Sequence, residues 1–435
     1  MVQILRAFLL LIPLGVLGTA AVADSHLTTI EQEIVQFIDG HNDKALALLE
    51  RVVNINSGTM NFTGVREVGA VFRAEFDELG FETEWIDGAA FGRAGHLIAR
   101  HEGSGPHLLL IGHLDTVFEP DNPFQKYERI APGQAHGPGT TDMKGGDVII
   151  VHALAALRAA GVLDALEITV VMTGDEEKSG RPLALARQHL IRAADAASIA
   201  LGFEDGDGDP KTAVISRRGA SKWELRSTGK PAHSSQIFRE DIGSGAVFEA
   251  ARILNRFREE LAGEKYLTFN PGLILGGTSV EFDSEQARGA AFGKNNVITE
   301  QTIVSGDIRT ISPEQLTDVQ DRMRAIVAES LPHTSAEIVF DDGYPGLAPS
   351  EGNRSLLALY DAVSRDLGFG PVSAVDPNKA GAADVSFTSG RVEMALDGLG
   401  LMGDGGHTER ETADLRTLPM QTKRAAILMY RLSQR

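Results

Sequence analysis

Four aliphatic residues in a row, 108–111, are cut off by Gly112 and followed at once by His113 and Asp115. A short apolar run ended by glycine is the pattern of a strand buried on both faces. The histidine and the carboxylate therefore sit where that strand leaves its sheet. In open α/β sheets, the crevice beyond the carboxyl ends of the strands is where ligands bind. A loop containing Pro and Gly then leads to Asp142, after which Val148, Ile149, Val151, Leu154 and Leu157 recur at helical spacing as far as Gly161.

The same arrangement returns downstream. An apolar strand at 167–173 runs into Gly174-Asp175-Glu176-Glu177, and another at 197–203 ends at Glu204-Asp205. Helical periodicity marks 28–54, 65–79 and 182–193, and strands are expected at 82–86 and 96–100. Strands alternating with helices imply a sheet with substantial parallel pairing. If those strands are parallel neighbours, His113, Glu176, Glu177 and Glu204 converge on one edge of one sheet, with Asp142 at the start of the helix beside them.

The pattern changes near residue 213. Paired strands are expected over 213–226, a helix over 243–261, strands at 273–280 and 297–309, a helix over 313–330 and a strand at 335–340. That order, strand-helix-strand-strand-helix-strand, matches a ferredoxin-like unit. After Tyr344 the chain returns to helix and strand alternation, so residues 213–343 read as an insertion in a domain made of 24–212 and 344–435.

Composition narrows the chemistry. With 435 residues the chain is long enough for two domains. A formal net charge of −19 argues against nucleic acid and against docking on an anionic membrane. The chain has no Cys, so a metal would be held by His, Asp and Glu alone. At the start, Arg6 precedes an apolar run at 7–16 and the small-x-small pattern Ala21-Val22-Ala23 follows. This reads as a secretion signal over 1–23, cleaved after Ala23, with the mature protein periplasmic or secreted and off the membrane. An uncleaved membrane anchor is the alternative, and Pro13 and Gly15 within a short run weigh against it.

A catalytic metal site needs nitrogen and oxygen ligands with an open position, and two adjacent metals need a shared carboxylate. His113, Asp142, Glu177, Glu204 and His407 supply such a set, with Glu176 to spare. Asp115 is placed to accept the second N–H of the His113 ring. A lone histidine at a strand end is more often structural than ligating, and a pair of glutamates is usually a solvated face. The order of these residues along the chain and their strand-end positions carry the metal reading. The third acidic position stays open between Glu204 and its neighbours Asp205, Asp207 and Asp209.

Six motifs bear a family resemblance: GHLDTV (112–117), GPGTTDMKGG (137–146), TGDEEKSG (173–180), FED (203–205), GKPAHSS (229–235) and GGHTERE (405–411). In this order the sequence resembles the acetylornithine deacetylases, succinyl-diaminopimelate desuccinylases, aminoacylases and glutamate carboxypeptidases, which are zinc exopeptidases and amidases. It is most similar to the glutamate carboxypeptidase branch.

The resemblance implies an α/β fold: a zinc-exopeptidase-like α/β/α catalytic domain with an inserted ferredoxin-like α+β dimerisation domain. Two zinc ions per subunit, replaceable by cobalt or manganese, would share Asp142. His113 and Glu204 would complete one ion, Glu177 and His407 the other. Glu176 would be the general base, and Asp115 would orient the His113 imidazole. His233 would reach a partner subunit's active site to stabilise the oxyanion, and Asn296 and Arg309 would bind the substrate's carboxylate. The implied activity is cleavage of an amide next to a free carboxylate, on a small peptide or an N-acyl amino acid, by a homodimer. An N-acyl-amino-acid deacylase on the same fold is the rival, and a non-catalytic binding protein a more remote one. One departure stands out: where glutamate-specific members carry an Arg before a Pro, this chain has Tyr344-Pro345. A phenol donates one hydrogen bond but cannot neutralise a side-chain carboxylate, so terminal glutamate need not be the preferred residue.

Overall fold

A computed structural model describes residues 27–284 and 286–435; the expected secretion signal lies outside them. Along the chain, helices α1 (Thr29–Val53) and α2 (Phe62–Glu78) precede strands β1 (Glu82–Asp87), β2 (Gly95–His101) and β3 (His107–His113). Helix α3 (Lys144–Ala159), strand β4 (Glu167–Thr173), helix α4 (Gln188–Ala196) and strand β5 (Ile199–Gly202) follow. A second group comprises β6 (Ala220–Gly229), α5 (Ala246–Leu261), β7 (Thr268–Gly277), β8 (Gln301–Arg309), α6 (Pro313–Ala328) and β9 (Thr334–Tyr344). The chain then closes with α7 (Glu351–Asp366), β10 (Met394–Leu396) and α8 (Thr417–Leu432).

The first sheet has six strands in the order β1-β2-β4-β3-β5-β10. Strand β3 lies at its centre, parallel to β4 on one side and β5 on the other. Because side chains alternate across a strand, β3 feeds two cores. Leu108 and Leu110 pack with residues of α1, α2, α3 and α8, such as Leu49, Phe72, Leu154 and Leu428. Leu109 and Ile111 face Leu190 and Ala194 of α4 on the opposite side. The result is a three-layer α/β/α unit of mixed α/β class. Helix α1 starts on a reciprocal cap between Thr28 and Glu31, which satisfies two of the free donors at its first turn.

The second sheet has four antiparallel strands in the order β7-β8-β6-β9. Helices α5 and α6 cover one face over Trp223, Leu225, Phe257, Val304 and Met323. The other face carries Lys222, Glu224 and Arg226, and among the described residues no helix covers it. The paired strands expected at 213–226 are not a hairpin. Thr212–Ala213 pairs in parallel with Ser373–Ala374, whereas β6 is one long central strand. A small hairpin, Ser279–Asp283 with Arg288–Phe292, adds to this unit beyond the expected order. Likewise the single helix expected at 182–193 is interrupted, a four-residue turn Leu183–Ala186 coming before α4.

Gly306 lets the second core close. A Cβ there would lie 2.5 Å from the Trp223 ring and 2.1 Å from the Asn270 carbonyl oxygen. Gly306→Ala is expected to destabilise the protein by roughly 1–3 kcal/mol through overpacking, read as a lower denaturant midpoint with an unchanged slope.

Candidate metal centre

Three parallel strands deliver acidic and imidazole groups to one edge. His113 is the last residue of β3, Glu176 and Glu177 follow the end of β4, and Glu204 follows β5. Asp142 precedes α3, whose first turn contains Gly145 and Gly146. The second of these is required by a close approach: a Cβ on Gly146 would lie 1.9 Å from the Phe203 carbonyl oxygen. The glycine lets the helix start press against the end of β5, bringing Asp142 next to Glu204.

Two triads share Asp142. His113 Nε2 lies 3.1 Å from Asp142 Oδ1 and 3.5 Å from Glu204 Oε1. His407 Nε2 lies 2.8 Å from Asp142 Oδ2 and 3.2 Å from Glu177 Oε2. In each triad the candidate ligand atoms fall within 4.8 Å of one another. Each oxygen of Asp142 thus faces a different histidine, as a carboxylate bridging two cations would. Glu204, rather than Asp205, completes the first triad. The two histidines differ in setting: the His113 side chain is 1% exposed and that of His407 60%. His407 sits in a loop with a left-handed backbone, φ +60.

The electrostatics favour cations here. Burial, reinforced by the Asp142 charge, pushes Glu177 up to about 7 and Asp205 up to about 8. Glu204 is likewise driven well above the ordinary carboxylate range, first by burial and then by Asp142 and Glu176. Burial works against ionisation of Asp142 too, but hydrogen bonds with His113 and His407 overcome it and hold that carboxyl low. Hydrogen bonds with Asp142 and Glu177 push His407 up to about 11. A donor set of imidazoles and mutually repelling carboxylates, with no thiolate, fits divalent ions that accept nitrogen and oxygen ligands.

Three further carboxylates hold the loops. Asp115 is fully buried; it accepts from the Thr59 hydroxyl at 2.6 Å and from the amides of Glu176 and Glu177 at 3.0 and 3.2 Å. The nearest acceptor to His113 Nδ1 is the Asp115 backbone carbonyl at 3.0 Å, with the Asp115 carboxylate at 3.5 Å. Side chain and backbone of Asp115 thus divide the work, one fixing the Glu176 loop and the other the imidazole. Glu411 accepts from the amides of Gly139, Thr141 and Asp142. Asp397 accepts from the Glu204 amide and forms a buried ion pair with Arg217 at 2.7 Å.

The Glu176 loop has a second anchor. Fully buried Arg187 bonds Asp175 at 2.5 Å, Asp384 at 2.8 Å and the Tyr344 hydroxyl at 2.5 Å. Tyr344 in turn donates to the Glu176 carbonyl at 3.2 Å. Its hydroxyl is therefore committed within the protein, and what Tyr344 offers a ligand is its ring. Among the described residues, the Glu176 carboxylate accepts no hydrogen bond, and burial followed by the charges of Asp384 and Glu177 drives it well above the usual carboxylate range.

The remaining sequence candidates lie on the second unit. His233 and Asn296 are neighbours: the Ser234 amide donates to the Asn296 carbonyl at 2.9 Å, and His233 bridges Val297. Both are exposed, and His233 Nδ1 meets the Ser235 hydroxyl at 2.8 Å. Arg309 pairs with Asp307 at 3.1 Å. Sequence reasoning missed Glu411, Asp397, Arg187 and Asp384 as supports. Glu411 at the end of the GGHTERE motif was the one with a visible signal.

Comparison with known proteins agrees with this geometry. The model of peptidase family M20/M25/M40 matches residues 109–431. Carboxypeptidase G2 of Pseudomonas sp. is 25% identical over 422 residues, 96% of each chain. Acetylornithine deacetylase of Pasteurella multocida is 30% identical over 264 residues, 58% of this chain and 62% of that one. Among solved structures, the aminopeptidase PepT from Bacillus cereus superposes with a TM-score of 0.71 at 18% identity, covering 90% of this chain and 98% of its own. A dinuclear metal-binding M20 peptidase from Bacillus subtilis does so at 0.62 and 16% identity, covering 91% and 99%. Both share the fold described above. The chain belongs to peptidase family M20/M25/M40 and is a metal-dependent hydrolase of that family.

Proposed function

We propose that this protein is a dizinc amidohydrolase that cleaves an amide bond next to a free carboxylate, in the manner of a carboxypeptidase. The observation that carries it is the division of Asp142 between two histidine-containing triads beside an uncommitted glutamate. His113 and Glu204 would hold one ion, Glu177 and His407 the other, and Asp142 both. When bound, the ions polarise the scissile carbonyl and make water acidic enough to ionise near neutral pH. Cobalt or manganese would satisfy the same donors.

Glu176 is the proton carrier. Among the described residues its carboxylate accepts no hydrogen bond, which leaves it available to take a proton from the attacking water and pass it to the leaving amine. Asp115 and the Arg187–Tyr344 pair hold its backbone, so the carboxylate moves only by side-chain rotation. An N-acyl-amino-acid deacylase is the second reading, supported by the similarity to acetylornithine deacetylase. The two readings differ only in the group on the acyl side.

The second unit would form a homodimer, with His233 of one protomer completing the oxyanion site of the other. Its surface supports this: Phe238, Phe248, Ile274 and Phe292 are 67%, 49%, 55% and 60% exposed. Exposed apolar side chains of this size mark interaction sites when they cluster, and the rings of Phe238 and Phe248 stand 5.5 Å apart. We also propose that residues 1–23 direct export and are removed.

Glu176→Gln is expected to lower kcat by roughly 10²–10⁴-fold with both ions retained by elemental analysis, whereas His407→Ala should lose one of them. Near-wild-type turnover of the first variant would remove Glu176 as base. Light scattering should show a dimer that Phe248→Glu converts to a monomer; a monomeric parent protein rules out the shared oxyanion site. Mass spectrometry of the exported protein should find a chain starting at Asp24, and an intact N-terminus would exclude cleavage.

A further inference from the structure

The open face of the second sheet carries a row of alternating charge beside the Glu176 loop. Lys222 on β6 stands in register with Asp307 on β8 and with Asp341 on β9. Each aspartate already holds an arginine: Asp307 pairs with Arg309 at 3.1 Å, and Asp341 takes Arg181 bidentately at 3.0 and 3.1 Å. These five residues line a cavity of about 190 Å³ that also takes in Ser179 and Tyr344. Since Tyr344 donates to the Glu176 carbonyl, the cavity lies against the loop that bears the base.

The charges decide what can enter. Arg181, Lys222 and Arg309 against Asp307 and Asp341 leave a net charge of +1. Both guanidinium groups are offset, and among the described residues the Lys222 side chain forms no ion pair or hydrogen bond. We infer that Lys222, rather than the Arg309 that the family resemblance implies and that Asp307 already holds, receives the carboxylate next to the scissile amide, while Asp307 and Asp341 exclude a second carboxylate. The substrates are then single-carboxylate peptides or acyl-amino acids that end in an uncharged residue. A terminal glutamate would have to strip an aspartate from its arginine and then sit beside that aspartate's charge, a like-charge contact that works as selection against the wrong ligand. The inference rests on the amide-hydrolase reading and adds the substrate class to it.

The near-isosteric pair acetyl-glutamine and acetyl-glutamate tests it on the zinc-loaded protein. Acetyl-glutamine is expected to win in kcat/KM by about tenfold or more. Asp341→Asn frees Arg181 and should narrow that gap. Lys222→Met should raise KM for acetyl-glutamine about tenfold with kcat kept, and Lys222→Arg should restore it. Calorimetric binding of free glutamine and glutamate to the same proteins gives the order without turnover. Equal rates on the pair, or an unchanged KM and affinity in Lys222→Met, overturn the inference and leave amide hydrolysis standing. Absence of all amide hydrolysis removes the hydrolase reading instead. In that event a glutamine preference that Lys222→Met abolishes sustains the site, and equal binding of the two amino acids removes it.

Discussion

Like charges crowded at a sheet edge set the terms for the rest of this molecule. Asp142, Glu177 and Glu204 stand within contact range of two imidazoles, with Asp205 and Glu176 close behind, and burial raises the proton affinity of most of them. A chain gains nothing in stability from such a cluster, because each ionised neighbour and each lost water shell raises its free energy. Only a strong local positive charge makes the arrangement favourable. The geometry supplies the place for it, since the two oxygens of Asp142 point to different histidines.

Keeping these groups together despite their repulsion is the work of the backbone and of buried partners outside the triads. Asp115, Glu411 and Asp397 each accept amide N–H groups from a loop that bears candidate ligands. A buried carboxylate that accepts several backbone donors is well satisfied, so these three fix the loops rigidly without adding free negative charge to the centre. Arg187 extends the same logic. Its guanidinium is wholly buried, which is tolerable because Asp175, Asp384 and Tyr344 saturate its donors.

Much of this was legible in the sequence, for physical reasons. The central strand announced itself because a strand buried on both faces must be continuously apolar, and residues 108–111 are. Parallel neighbours then forced His113 and the acids after β4 and β5 onto one edge, which follows from topology alone. The covering helices were visible from their periodicity. What stayed hidden depends on long-range pairing. Nothing local in Arg187 distinguishes a buried hub from a surface arginine on a helix. The strand pairing around 213–226 was misread because Thr212–Ala213 finds its partner some 160 residues later, beyond the reach of any turn signal. His233 and Asn296 meet each other through such a distant pairing as well, and their proximity could not be read from spacing.

Tyr344 joins two tasks in one side chain. Its ring helps wall the cavity below the second sheet, and its hydroxyl ties Arg187 to the carbonyl of Glu176. A lineage that exchanged this tyrosine for a residue suited to another ligand would, in the same step, loosen the turn that carries the proton-transferring carboxylate. Selectivity and speed are mechanically linked at this position, so a change of diet by this route would call for a compensating substitution around Arg187.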